Sequence, residues 1–216
     1  MGAVVAQLDQ LQVRYTGYFE SPVFHVLGNP ADLYQNLLGR FHNYGADLQS
    51  LSVNLAELAS ARVQCTFPPI GMVNVYLDRL EVFLADVKDP SQASAVVESA
   101  RLSLADTAPS LRVTTHEVAL SAWAQLESLD FRSYITRFVT TPADEWQPSV
   151  QFSHAGISTR GSLLLEESNR VPGGLYAKSI VVVENVGGGV AQVMPKYVEE
   201  LSAQLRVVEL HPKLRT

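Results

Sequence analysis

A single cysteine, Cys65, stands among 216 residues. No intrachain disulfide can form, and the thiol count gives no sign of an oxidising compartment, so a cytoplasmic location is the default. Charge is also scarce: charged residues make up 18%, and the 16 basic and 22 acidic side chains leave a formal charge of −6. A phosphate-binding surface needs clustered Lys and Arg. Here Arg62, Arg79, Arg101, Arg112 and Arg132 stand singly, so nucleic acid is not an expected partner. Long apolar runs are missing too. The strongest, from Ser179 to Val183, is broken by Glu184 and is far too short to span a bilayer. The opening "MGAVVAQLDQ" lacks the charged start and apolar stretch of a signal peptide, and Ala6 stands where a myristoylation signal wants Ser or Thr. Low-complexity and heptad patterns are absent. These gaps together predict a soluble protein with neither anchor nor membrane partner.

What remains is a well-filled chain. Hydrophobic residues make up 47%, and the length suits one large domain or two small ones closely fused. Helical signals are clear. In "NPADLYQNLLGRFHNYG", Asn29 is a capping residue, Pro30 suits a first helical position, Asp32 complements the dipole and Gly45 can end the helix. Leu33, Leu37, Leu38 and Phe41 then share a face. "DPSQASAVVESARLSLAD" repeats the cap-then-proline device at Asp89 and Pro90, with Ala93, Val96, Val97, Ala100 and Leu104 on one side. A third helix is predicted from Asp130, carrying Phe131, Tyr134, Ile135 and Phe138, and a fourth from near Pro195, carrying Met194, Tyr197, Val198, Leu201 and Leu205.

Strand signals fill the intervals. "MVNVYLDRLEVFL" and "LRVTTHEVALSAW" are rich in β-formers. The first changes phase at Asp78 and Arg79 and the second near Glu117, which predicts bulges or broken strands. "SVQFSHAGIS", "GSLLLEES" and "LYAKSIVVVEN" supply three more, the last two joined by a turn at Pro172, Gly173 and Gly174. "LDQLQV" at Leu8 to Val13 nearly repeats as "LDRLEV" at Leu77 to Val82. Each copy precedes an Asx-Pro-capped helix, which raises the question of a repeated unit.

Few residues carry a chemical signature. Gly187, Gly188 and Gly189 follow a strand, and bared N–H groups there would suit an anion. The stretch has neither nucleotide-loop pattern, and a connector is the simpler reading. The five histidines occur singly without H-x-x-x-H spacing, so no zinc helix is expected. His116 and His25 lie in strand-like segments, where a half-buried structural histidine is the simpler account. Cys65 paired with a histidine would make a nucleophile, whereas free cysteine usually serves as a small buried hydrophobe. Ser158 sits in G-x-S-x-x-G, which misses the nucleophile-elbow spacing. Glu166, Glu167 and Glu184 fall on neighbouring strands, where an acid/base pair competes with a solvated sheet face. Aromatics cluster at Tyr15, Tyr18, Phe19 and Phe24, and again at Trp123 and Trp146, as core or as cleft wall.

The sequence therefore predicts an α+β fold of mostly antiparallel sheets with about four helices packed on one face. Two similar halves are expected, 1–108 and 109–216, packed closely enough to count as one domain. The expected function is a non-catalytic interaction or assembly subunit that meets a protein partner or a second copy of itself, with no cofactor or metal. The alternative is a small-molecule binder or enzyme with a cleft between the halves. His116, Cys65, His154 and Glu184 are then the candidate catalytic residues, and Gly187, Gly188 and Gly189 the candidate ligand loop.

Overall fold

The computed structural model describes residues 4–69, 71–88, 90–138, 149–155, 159–184 and 190–214. They form a mixed α+β fold dominated by one continuous ten-stranded sheet. The expectation of several sheets is corrected to one. Its longest strands lie side by side at the centre: β1 (Val4–Phe19) and, antiparallel to it, β6 (Val113–Leu126). Beyond β1 come β5 (Arg79–Leu84), β4 (Gly71–Tyr76), β3 (Arg62–Phe67) and the edge strand β2 (Leu51–Asn54). Beyond β6 come β9 (Leu175–Glu184), β8 (Thr159–Glu167) and β7 (Ser149–Ala155). On each flank a meander runs inward from the edge, four strands (β2 to β5) on one side and three (β7 to β9) on the other, so that its last strand meets a central one. The tenth strand, β10 (Leu210–Leu214), runs parallel to Val4–Leu8, on the same side of β1 that β5 occupies further along.

Two bulges interrupt the pairing of β1 with β6, and neither falls at Glu117: β6 keeps its register past that residue, so the break expected there is absent. Leu8 pairs with Ala124 and Gln10 with Trp123, so Asp9 is an extra residue. Val4 and Ala6 before it, and Leu11, Val13 and Tyr15 after it, can thus all be buried on one face. On β6, Thr114 is the extra residue between the pairs Thr115–Tyr18 and Val113–Phe19. The phase change at Asp78 has a different cause. "MVNVYLDRLEVFL" is a hairpin, with Leu77 and Asp78 forming the turn between β4 and β5. "LDQLQV" lies wholly inside β1, whereas "LDRLEV" straddles that turn, so the two look-alikes occupy unlike places.

Five α-helices are present among the described residues, one more than expected: α1 (Phe24–Gly28), α2 (Ala31–Phe41), α3 (Pro90–Thr107), α4 (Phe131–Ile135) and α5 (Val190–Val207). The short α1 went unread because it has only five residues, too few for a periodic stripe. The stripe of α2 is buried as its spacing requires, with Leu33, Leu37 and Phe41 at 0% exposure. Asn29 does not cap it: the cap position falls on Pro30, without a side-chain bond. Asp130 does cap α4, accepting from the Ser133 N–H at 2.7 Å. Helix α5 begins at Val190, five residues before the expected start, so Pro195 lies inside it, where its missing N–H removes one intrahelical bond to the preceding turn.

All five helices contribute buried side chains to one side of the sheet. A large cluster joins α1, α2, α3 and the start of α5 to β1, β3, β4, β5, β6 and β9. A smaller one joins α4 and the end of α5 to β8, β10 and the adjoining ends of β1, β6 and β9. The opposite face alternates with it and carries Arg14, Arg79, Glu81, Glu117 and Lys178, all at least half-buried except the exposed Arg14. No helix among the described residues is long and apolar enough to cross a membrane.

Candidate functional site

Among the described residues, His116, Cys65 and Glu184 do not converge. His116 lies on the helix-covered face, 2% exposed, and its Nδ1 is 2.9 Å from the hydroxyl of the fully buried Tyr15. Burial, reinforced by the Arg101 guanidinium, lowers its pKa below the usual histidine value. The same burial raises the Tyr15 hydroxyl far above the tyrosine range. The pair is a neutral, desolvated hydrogen bond. Cys65 shares the covered face but sits on β3, four strand steps from β6, about 19 Å away at the usual spacing. Its thiol is fully buried and pushed up to about 11 by that burial, which is the state of an inert packing thiol rather than a nucleophile.

Glu184 neighbours Val183, the register partner of His116, and so points to the other side of the sheet. There it meets Arg160 at 3.1 Å. Glu166 lies opposite Tyr176, eight residues from Glu184 along β9 and therefore roughly 26 Å away; Glu167 is engaged by Arg132 at 3.3 Å. No carboxylate pair forms from these three. The backbone of His154 is registered opposite Gly161. Gly187, Gly188 and Gly189, Ser158 and Trp146 lie outside the described residues. Among the described residues no group of three or more His, Cys, Asp or Glu is placed to hold a metal ion.

The aromatics divide between structure and surface. Trp123, on the face without helices, is stacked with Tyr176 at 5.1 Å between centroids and covered by the Arg170 guanidinium at 4.1 Å, which also bonds Gln10. Phe41, Tyr44 and Phe67 form a packed trio beneath α2.

The feature that the sequence did not reveal is a cavity of about 260 Å³ between the sheet and α5. Its floor is the covered face of the sheet, and four of the floor residues are alanines: Ala6 of β1, Ala122 and Ala124 of β6, and Ala177 of β9. Leucines wall it, among them Leu163 and Leu175 from the sheet, Leu201 and Leu205 from α5, and Leu210 from β10. Small side chains on a sheet face leave room that leucines standing one helical turn apart above them do not fill. Leu8, Leu120 and Leu201 are half-exposed and Pro212 is exposed, so this part of the wall meets solvent.

Among the described lining residues one side chain is polar. Ser179 is 1% exposed, and its Oγ donates to Gln204 Oε1 at 2.8 Å. Gln204, from α5, is itself 6% exposed and its Nε2 has no hydrogen-bond partner among the described residues. The amide fits only because Gly161 lies beneath it: a Cβ there would stand 2.3 Å from Nε2. The end of α5 is anchored separately, by Tyr134 donating to the Val208 carbonyl at 2.7 Å.

Alternating Ala, Leu and Ser look like ordinary strand interior, and nothing in the letters says that the alanines of three strands come into register. Comparison with family models, with curated proteins and with solved structures finds no match to this chain.

Proposed function

We propose that this protein is a non-catalytic binder of a small apolar molecule, held in the cavity between the sheet and α5. The observation carrying this reading is the lining: leucines, alanines and one proline around a single serine, with no charged side chain among the described residues. Such walls suit hydrocarbon and offer no general acid, base or nucleophile. The dispersal of His116, Cys65 and Glu184 favours binding over catalysis in the same way. The lining takes Ala6, Leu8 and Leu11 from 1–108 and its other described residues from 109–216, which supports a site where the two halves meet.

The test is thermal unfolding with nonane or 1-octanol present. Stabilisation should grow with ligand concentration above the dissociation constant, and Ala177→Leu, which fills the floor, should abolish it. A melting temperature unmoved by both molecules sinks the reading.

A second reading, assembly with another protein, is favoured by one observation. At the sheet edge formed by β2, Leu48 is 79% exposed, Leu58 67%, Leu55 53% and Val53 45%. An edge strand flanked by exposed apolar side chains is the kind of surface that pairs with another chain. Light scattering after size exclusion tests it: a larger species that Val53→Lys returns to monomer supports it, and a strict monomer at working concentration opposes it. We also read 1–108 and 109–216 as two related units meeting at the β1–β6 pair, on the support of an inward meander on each flank, of four strands on one and three on the other. The cytosol is our proposed location, on the lone reduced thiol.

A further inference from the structure

We infer that the ligand of this cavity is a neutral, mainly hydrocarbon molecule bearing one hydroxyl or carbonyl oxygen, seated on Ser179, whose hydroxyl is bonded to Gln204. The inference rests on the binding reading above and adds the chemical class.

Size comes first. An apolar cavity of about 150 Å³ accommodates benzene, so the 260 Å³ present here corresponds to roughly ten non-hydrogen atoms by proportion. Polarity follows from what the corner lacks. The Ser179 hydroxyl spends its proton on Gln204 Oε1 and keeps an unused lone pair at the cavity wall. Gln204 keeps an amide nitrogen that is buried and, among the described residues, undonated. Gln204 itself does not line the cavity, its Nε2 lying over Gly161, so the group that a ligand meets is the Ser179 hydroxyl, held in place by its bond to Gln204. If the two ends of the amide are exchanged, Gln204 donates to Ser179 and the serine proton is released toward the cavity, so the corner still asks for one oxygen. The remaining wall opposes charge: with no cationic side chain lining the cavity among the described residues, a carboxylate or phosphate would be stripped of water without compensation.

Three probes of similar length separate the outcomes: 1-octanol, nonane and octanoate, with dissociation constants measured by methyl-shift NMR on the full chain. In the unsubstituted protein octanol should bind and octanoate should bind at least about tenfold more weakly. Replacing Ser179→Ala, and separately Gln204→Leu, should weaken octanol relative to nonane by at least about fivefold. Taking the ratio cancels the difference in hydrophobicity between the two probes, and having two variants keeps the test alive if one fails to fold. Binding of octanol and nonane with a ratio unchanged by either variant overturns the oxygen anchor and leaves the apolar-binder reading standing. Octanoate as the tightest of the three overturns neutrality. No binding of octanol or nonane overturns both readings together.

Discussion

The covered face of the sheet is packed in two ways. Under α2 and α3 it presents Tyr15, Val63, Val73, Val75, Leu80 and Val82, every one at 0–1% exposure. Under α5 it presents Ala6, Ala122, Ala124, Ala177 and Ser179, and the helix residues above them, Leu201 and Leu205, are only half-buried. Both regions share one set of central strands, so backbone geometry does not separate them. Side-chain volume does. Branched and aromatic residues on one flank interlock with the helices, while alanines on the other leave a space that the helix spans without filling. A core can therefore be complete in one place and vacant a few strands away with no change of fold.

The sharpest way to break that contrast is to remove the same group from both regions. Leu37→Ala should cost about 2–5 kcal/mol, because Leu37 is fully buried and its loss leaves a new void. Leu201→Ala should cost about 1 kcal/mol, since this leucine already borders empty space and solvent. Urea midpoints for the two variants measure the difference, and equal shifts would show the two regions to be packed alike.

The packed flank should also respond to acid through His116. Its folded-state pKa lies below the ordinary value of 6.5, so as pH falls through 6.5 the unfolded chain takes up a proton that the native state refuses. Stability should be lost from pH 6.5 downward, with a slope of at most about 1.4 kcal/mol per pH unit from this one group. His116→Gln, which keeps an acceptor for Tyr15, should flatten unfolding midpoints between pH 7 and 5. A curve as steep as that of the unsubstituted protein would assign the loss elsewhere.

The smallest effect is expected on the open flank. Ala177→Leu adds three carbons to the floor of the cavity, and stability should change by less than about 1 kcal/mol, in contrast to the 1–3 kcal/mol penalty usual for overpacking a filled core. A larger loss would mean that the space is not there to be filled.

Much of the architecture was legible in the chain. The stripes Leu33, Leu37, Phe41 and Val96, Val97, Ala100, Leu104 are buried as their spacing requires, because helical periodicity is set locally. The α+β character and the helix-covered face follow from that periodicity. The single continuous sheet did not, since Asp9 and Thr114 are bulges that only pairing with a partner strand defines. Strand β10 escaped notice for a related reason: "LHPKL" carries a proline, and its place beside β1 is fixed by a partner some two hundred residues earlier. Cys65 and His116 both have the burial expected of structural residues, but their separation by four strand steps is a matter of strand order. Val198 sits in the predicted stripe of α5 yet is 55% exposed, because that helix covers its alanine floor with a narrower face than the spacing allows.

The sequence by itself determined where helix and strand periods run, which faces are apolar, and that nearly every charged group must stay near water; these depend on neighbours within a few positions. Tertiary structure alone decided that alanines from three strands stand side by side beneath α5 with Ser179 and Gln204 at their edge. Registers between distant strands place them there, and no local rule of side-chain spacing encodes the volume that they leave open.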